Sequence, residues 1–398
     1  MKRFGSFAGV AFTVALLVSA CSQAPVQSPE LKAQFGTKQD DQANAVAVDP
    51  NRGRVYVAGT LEQDAESPAE QGGNLILRSY TQAGRYVWNK TLAERTYYDP
   101  LARGVGTDAA GNIYLAWYVY STDGYDSATI VKFSPARKVL YKVEIDNGIN
   151  DFAVDLAGNV YVAGIADRDG FSERDFLRKY DPRGQLVWER ATLYDDNYEP
   201  IITAQSIPTP YDIGLAGDGS IYAAGVSSLT KYSNNGRTLW TLPIGKNANN
   251  LTVAAGKKDA YVAVARVTND LFSIDLKKVD RTGSVSWSRN VKLPNEGYLN
   301  DLTVDNRDSV YLSGSVFSRS SDNGLFVTKY DRAGKQVWLY VPRNAADYEG
   351  AVGLGIAVQG EDVYVAGSTK GKVNGKNRGN RDAFLLKLNA RGQRVWQR

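Results

Sequence analysis

The chain has 398 residues, 43% hydrophobic and 11% aromatic, with a formal net charge of +4, so it can bury a large core and its charge singles out no polyanionic partner. It has no histidine, which excludes imidazole bases and imidazole metal ligands. Its one cysteine, Cys21, excludes an intramolecular disulfide and a thiolate cluster.

Lys2-Arg3, the apolar run over residues 4–18 and Ser19-Ala20-Cys21 have the three regions of an export signal spanning 1–20. The apolar run is too short for a membrane span. Val18-Ser19-Ala20-Cys21 resembles the bacterial lipobox, and the resemblance implies that Cys21 is diacylated and becomes the new N-terminus, which two acyl chains anchor stably. Removing 1–20 takes away Lys2 and Arg3, so +4 becomes +2. Residues 21–33, with Pro25 and Pro29, read as the lipidated cysteine and a flexible tether.

From residue 34 to 398 one unit recurs. Its second strand is marked by Tyr56, Tyr114, Tyr161, Tyr222, Tyr261, Tyr311 and Tyr364, mostly within Val-Tyr-Val-Ala-Gly-like strings. Its fourth strand is marked by Trp88, Tyr141, Trp188, Trp240, Trp287, Trp338 and Trp396, Tyr141 standing where tryptophan is expected. Two independent landmarks thus give seven copies. Turns such as Asp181-Pro182-Arg183-Gly184 and Asp331-Arg332-Ala333-Gly334 put Asp first and Gly last, as a type I turn closing into a left-handed residue requires. Four short strands per copy, a period of about 50 residues and no helical pattern predict an all-β fold, a seven-bladed β-propeller of four-stranded antiparallel blades.

The strings Gln34-Phe35-Gly36-Thr37, Ala-Val-Asp, Gly-Asn-Val-Tyr-Val-Ala-Gly and Lys-Tyr-Asp-x-x-Gly-x-x-x-Trp are similar to the bacterial β-propeller repeat family called SBBP, over about residues 34 to 398. In such repeats the tryptophan strand runs on into Gln-Phe-Gly-Thr. Here that segment stands at the N-terminal end, so residues 31–37 are expected to dock beside the last strand and close the ring. The Asp-x-x-Gly-x-x-x-Trp element also resembles the tryptophan-docking motif of quinoprotein propellers, which implies that the seven aromatics dock blade on blade and hold no cofactor.

The D–A and B–C connections are long and unlike one another, whereas the A–B and C–D turns are short and regular, so a ligand is expected on the D–A/B–C face. Tyr97, Tyr98, Asp195, Tyr198, Glu199, Tyr298, Tyr348 and Glu349 recur there as tyrosine beside carboxylate, a pairing that stacks on sugars or clamps a basic peptide. Residues 191–211, with Pro200, Pro208 and Pro210, are the connection least explained by blade architecture. The C–D turns are basic: Arg85, Arg137, Lys138, Arg183, Arg237, Arg281, Arg332, Lys335, Arg391 and Arg394 lie in or beside them, a solvated rim that also suits an anionic surface.

No catalytic motif is complete. Asp167-Arg168-Asp169-Gly170 and Asp322-Asn323-Gly324 suggest calcium loops without the full ligand spacing, and the second is read in a B–C loop. No cofactor or metal is implied. No aromatic residues interleave the basic turns as nucleic-acid grooves require, so no nucleic-acid partner is expected. The expectation is a lipid-anchored, monomeric envelope protein, exported to the periplasmic or cell-surface side, that binds carbohydrate or protein without catalysis. The alternatives are a carbohydrate-active enzyme using carboxylates such as Asp195 and Glu199, and an envelope assembly factor using the propeller as a platform.

Overall fold

The computed structural model describes residues 35–62, 73–92, 100–119, 127–146, 148–167, 173–194, 200–201, 207, 210–225, 227–245, 248, 250–268, 271–318, 321–342, 349–372 and 377–398. They form seven antiparallel blades, each with strands A to D in sequence order, and no helix is present among them. The inner strands A are Asp41–Asp49, Pro100–Thr107, Ile149–Val154, Pro210–Leu215, Asn250–Ala255, Glu296–Val304 and Val352–Gln359. The outer strands D are Tyr86–Leu92, Val139–Asp146, Leu186–Tyr194, Thr238–Pro243, Val285–Asn290, Gln336–Tyr340 and Arg394–Gln397. Each strand A packs on the strand A of its neighbours, that of blade 7 on that of blade 1, so the sheets close a ring.

The two sequence landmarks are what glue the sheets radially. The strand-B tyrosines are almost completely buried. The indole of Trp188 donates from Nε1 to the Asn234 carbonyl of the next blade at 2.9 Å, and Trp240, Trp287, Trp338 and Trp396 repeat the bond to Arg281, Arg332, Ala390 and Gln82 at 2.9, 3.2, 3.0 and 3.1 Å. Each ring lies flat on the left-handed glycine of that neighbouring C–D turn; a Cβ on Gly236 would meet the Trp188 ring at 2.9 Å. Blade 2 departs from this on both sides. Its turn holds the left-handed residue Arg137 (φ 69°), whose guanidinium lies 5.6 Å over Trp88, and it offers Tyr141 to Gly184.

Strand C adds buried lysines. Lys132, Lys179, Lys231, Lys278 and Lys329 lie about 5 Å over the strand-B tyrosine rings of their own blades. Burying an ammonium is costly unless it is paired, and it is: Lys132 reaches Asp108 at 3.6 Å, Lys278 reaches Asp259 at 2.9 Å and Lys387 reaches Asp362 at 2.7 Å.

Of the segment 31–37 expected beside the last strand, residues 31–34 lie outside the described residues and Phe35 extends that strand rather than lying beside it. Arg398 exchanges backbone bonds with Leu385 at 2.7 and 2.6 Å, and Phe35 then takes over, exchanging bonds with Ala383 at 3.2 and 3.1 Å. The outer strand of blade 7 is therefore assembled from two stretches of chain, and Phe35 is fully buried under the Arg78 guanidinium of blade 1, 4.2 Å from the ring.

Several local readings need correcting. Glu296, Gly297 and Tyr298 belong to strand A of blade 6, because strand B of that blade is long enough to pair with them from Val316 and Phe317 back to Ser315. Asp322, Asn323 and Gly324 lie in strand C of the same blade, Ser321–Tyr330, so they form no calcium loop. Asp167 ends a strand, while Asp169 and Gly170 lie outside the described residues. Part of 191–211 is regular: Pro200–Ile201 adds a fifth strand to blade 3, and Ile207 is buried and exchanges two bonds of 2.6 Å with the Thr192 hydroxyl.

Candidate site at the mouth of the central channel

Six of the seven inner strands bulge near their start. The strand A–strand B register slips at Asn44, Arg103, Asn150, Tyr211, Asn300 and Leu354, and only blade 5 stays regular. A bulge leaves one residue out of the ladder and re-aims its side chain. All six bulged residues line the central cavity, of about 620 Å³.

The polar groups there are mostly committed to holding neighbouring blades. Asn150 donates from Nδ2 to the Pro210 carbonyl at 3.1 Å and Asn300 to that of Gly353 at 3.0 Å, while Asn250 reaches the carbonyl of Leu299. The carboxylates point the same way round the ring. Asp151 accepts from Ile213 N–H at 2.8 Å, Asp212 from Val253 N–H at 2.7 Å and Asp301 from Ile356 N–H at 2.7 Å. These clamps were not anticipated from the sequence, although Asn-Asp at 150–151 and 300–301, three residues before Val154 and Val304, was visible as a signal.

Burial raises all three carboxyls. Asp301 is pushed up to about 7, first by desolvation and then by the charge of Asp212. Asp151 lies well above the ordinary carboxylate range for the same two reasons, and burial raises Asp212. Asp151 and Asp212 both accept from the Ile213 N–H, at 2.8 Å each. An acid/base pair for glycoside cleavage needs carboxyls about 5–10 Å apart with lone pairs free for water or a sugar. The channel carboxyls spend oxygens on backbone N–H groups, and Asp151 and Asp212 share one such N–H.

Of the eight residues expected on the ligand face, Tyr97, Tyr98, Asp195, Tyr198, Glu199 and Tyr348 lie outside the described residues. Glu349 sits in an exposed turn of blade 7, its carbonyl accepting from Lys370 N–H at 2.9 Å. Tyr298 is 49% exposed and joins two rings that went unremarked in the sequence: it stacks on Phe317 at 4.8 Å, and Phe272 stands edge-on to both at 5.0 and 4.9 Å. The blade repeat does not require this cluster. Glu62, Asp167, Ser228, Val267 and Lys370 occupy the position that Phe317 takes in blade 6, and blade 2 alone has another aromatic residue there, Tyr120. Phe272 and Tyr298 border a side cavity of about 300 Å³ between blades 5 and 6, which Asn250 and Asn300 share with the central channel. Beside it, Arg266 is fixed by Asp275 at 2.9 Å and by the Ile244 carbonyl at 2.7 Å. Among the described residues no three His, Cys, Asp or Glu side chains are placed to hold a metal ion.

No family profile and no curated protein matches the chain. Among solved structures it is similar to Sqt1 from Chaetomium thermophilum, with 12% identity, a TM-score of 0.51, and coverage of 90% of this chain and 99% of that one. A protein of unknown function from Dyadobacter fermentans gives 10% identity, a TM-score of 0.49, and coverage of 90% and 98%. At such identities the likeness concerns the fold alone.

Proposed function

We propose that the chain is an exported, lipid-anchored β-propeller of the bacterial cell envelope, of the SBBP type, acting as a non-catalytic binding or scaffolding protein whose carbohydrate or protein ligand docks on the D–A/B–C face. The observation that carries the reading is the Phe272–Tyr298–Phe317 cluster, in which exposed Tyr298 is backed by two half-buried rings at the rim of a polar channel, built where the repeat does not call for aromatic residues. Rings in that position supply contact area at little entropic cost, and the neighbouring amides supply hydrogen bonds. The engagement of Asp151, Asp212 and Asp301 in inter-blade bonds favours binding over hydrolysis.

The test is a glycan array together with photo-crosslinking in intact envelopes, each run with the wild type and with Tyr298→Ala. The expected outcome is a glycan or envelope protein held by the wild type and by Tyr298→Phe and lost by the alanine variant. Retention of the same ligand by Tyr298→Ala would remove this rim as the site.

A further inference from the structure

The opposite face has a chemistry of its own. Among the described residues, every large apolar side chain left exposed, apart from Tyr211, Tyr298 and Leu339, lies on the first half of an outer strand or in an A–B turn. Leu140, Leu186, Val285, Val337 and Val395 are between 46% and 53% exposed, and Leu156, at an A–B turn, reaches 75%. Because strand D begins at the C–D turn, these side chains form a girdle around the rim of one face, repeated blade by blade. Singly exposed aliphatics need no explanation, but a segregated ring of them does.

The same rim is cationic. Each of the seven C–D turns presents an exposed arginine, from Arg85 in blade 1 through Arg183 and Arg281 to Arg391 in blade 7. The acids nearest on that face are largely neutralised from within: Asp108, Asp218, Asp259 and Asp362 pair with the strand-C lysines at 3.6, 3.8, 2.9 and 2.7 Å. Asp181, Asp280 and Asp331 turn their carboxylates inward onto the N–H groups of their own turns. A cleft of about 450 Å³ between blades 4 and 5 opens on this side, with Lys257, Lys258 and Arg281 in its wall.

We infer that the C–D face rests on an anionic lipid bilayer, with the aliphatic girdle at the headgroup boundary and the arginines on lipid phosphates. Charge alone suits an acidic polysaccharide equally well, but a soluble polyanion has no use for a ring of leucine and valine, whereas an interface takes both. The inference deepens the anchored-binding reading, because the face that lies down leaves the aromatic rim of the channel pointing away from the membrane.

Six of the seven tryptophans, Trp88, Trp188, Trp240, Trp287, Trp338 and Trp396, lie in the strands that follow these turns, and the seventh, Trp117, is buried in strand B of blade 2, so a change in quenching reports on this face. The experiment places the full chain on phosphatidylcholine vesicles carrying a shallow brominated quencher, with and without phosphatidylglycerol. The expected result is tryptophan quenching that requires phosphatidylglycerol and weakens with salt. The triple variant Arg183→Glu, Arg237→Glu, Arg281→Glu should lower low-salt vesicle affinity by about a hundredfold. Leu156→Ser, at a side chain 75% exposed, should reduce quenching without altering the fold. Equal quenching on neutral and anionic vesicles, or none on either, overturns the inference. Flotation at high salt separates the two readings: a chain that floats without quenching has its lipid anchor but not this docking face. A chain that is quenched at low salt and fails to float at high salt has the face without the anchor.

Discussion

The strand-B tyrosines occupy equivalent positions yet do unequal amounts of polar work. The hydroxyl of Tyr311 donates to Asp305 at 2.9 Å and that of Tyr114 to Asp108 at 2.9 Å, whereas the hydroxyls of Tyr222 and Tyr364 are buried without a partner. Tyr311→Phe should therefore cost about 1–2 kcal/mol, because it leaves a buried carboxylate oxygen short of a donor. Tyr364→Phe keeps the ring and its Lys387 contact and removes only an unsatisfied hydroxyl, so it should be neutral or stabilise by up to about 1 kcal/mol. Urea denaturation of the two variants side by side checks this, and equal losses would show that the hydroxyls are equivalent after all. This difference was not readable from the repeat, since both residues sit in near-identical strings. Whether an Asp lies beneath the ring depends on the A–B turn: Asp305 opens that turn in blade 6, where blade 7 has Gln359-Gly360.

At the scale of the element, the glycine that ends Val-Tyr-Val-Ala-Gly is the imprint of the inner-strand bulge. A Cβ on Gly59, Gly314 or Gly367 would lie 2.0 Å from the carbonyl oxygen of Gln42, Tyr298 or Val352, in the strand-A segment just before the slip. Blade 5 completes the argument: Val264 stands where glycine is expected, and that blade alone has no slip. Blade 2 shows that the relation is not obligatory, because Trp117 takes the position opposite a bulge at Arg103. The seven-fold count and the strand order were legible because tyrosine and tryptophan are core groups repeated in register. The bulge was not, because asparagine, arginine, tyrosine and leucine all serve as the extra residue; its trace lay in the partner strand. The aromatic platform was legible only through Tyr298, since Phe317 reaches it through the extended pairing of strands A and B within blade 6 and Phe272 through packing from blade 5. Gly314→Ala should destabilise the protein by about 2–4 kcal/mol, because the methyl must displace the strand backbone that carries Tyr298. Thermal unfolding reads the loss, and a shift under about 0.5 kcal/mol would show that the bulge yields freely.

For the whole molecule, the seam between blades 7 and 1 is where the ring depends on non-covalent contacts within one strand, and it is built around two buried carboxyls. Asp41 and Asp382 are both fully buried on either side of Gly36, where a Cβ would meet Asp41 Oδ2 at 2.3 Å and Asp382 Oδ1 at 2.7 Å. Thr37 donates to Asp41 from its backbone N–H and its hydroxyl, and the Arg378 N–H donates to Asp382 at 3.1 Å. Burial nevertheless dominates, with the charge of Asp382 adding to it, and pushes Asp41 up to about 7; burial raises Asp382 as well. The unfolded chain releases the Asp41 proton near 3.8, and the folded protein keeps it to about 7, so between those values the folded state binds more protons. Stability must then fall as pH rises through that window. Asp108 and Asp218, whose carboxyls are held below the ordinary value by hydrogen bonds and a lysine, pull in the opposite direction, but only in more acidic solution. The expected outcome is a Tm higher near pH 5 than near pH 8, with a slope flattened by Asp41→Asn, whose amide oxygen still accepts from Thr37 while no charge can form beside Asp382. A Tm that climbs from mild acid to pH 8, or a slope that Asp41→Asn leaves unchanged, would mean that the seam opens for reasons other than these two carboxyls. The same titration followed by hydrogen exchange should show protection at residues 35–41 and 382–385 falling ahead of the other blades, since the proton is lost at the joint and not in the sheets it joins.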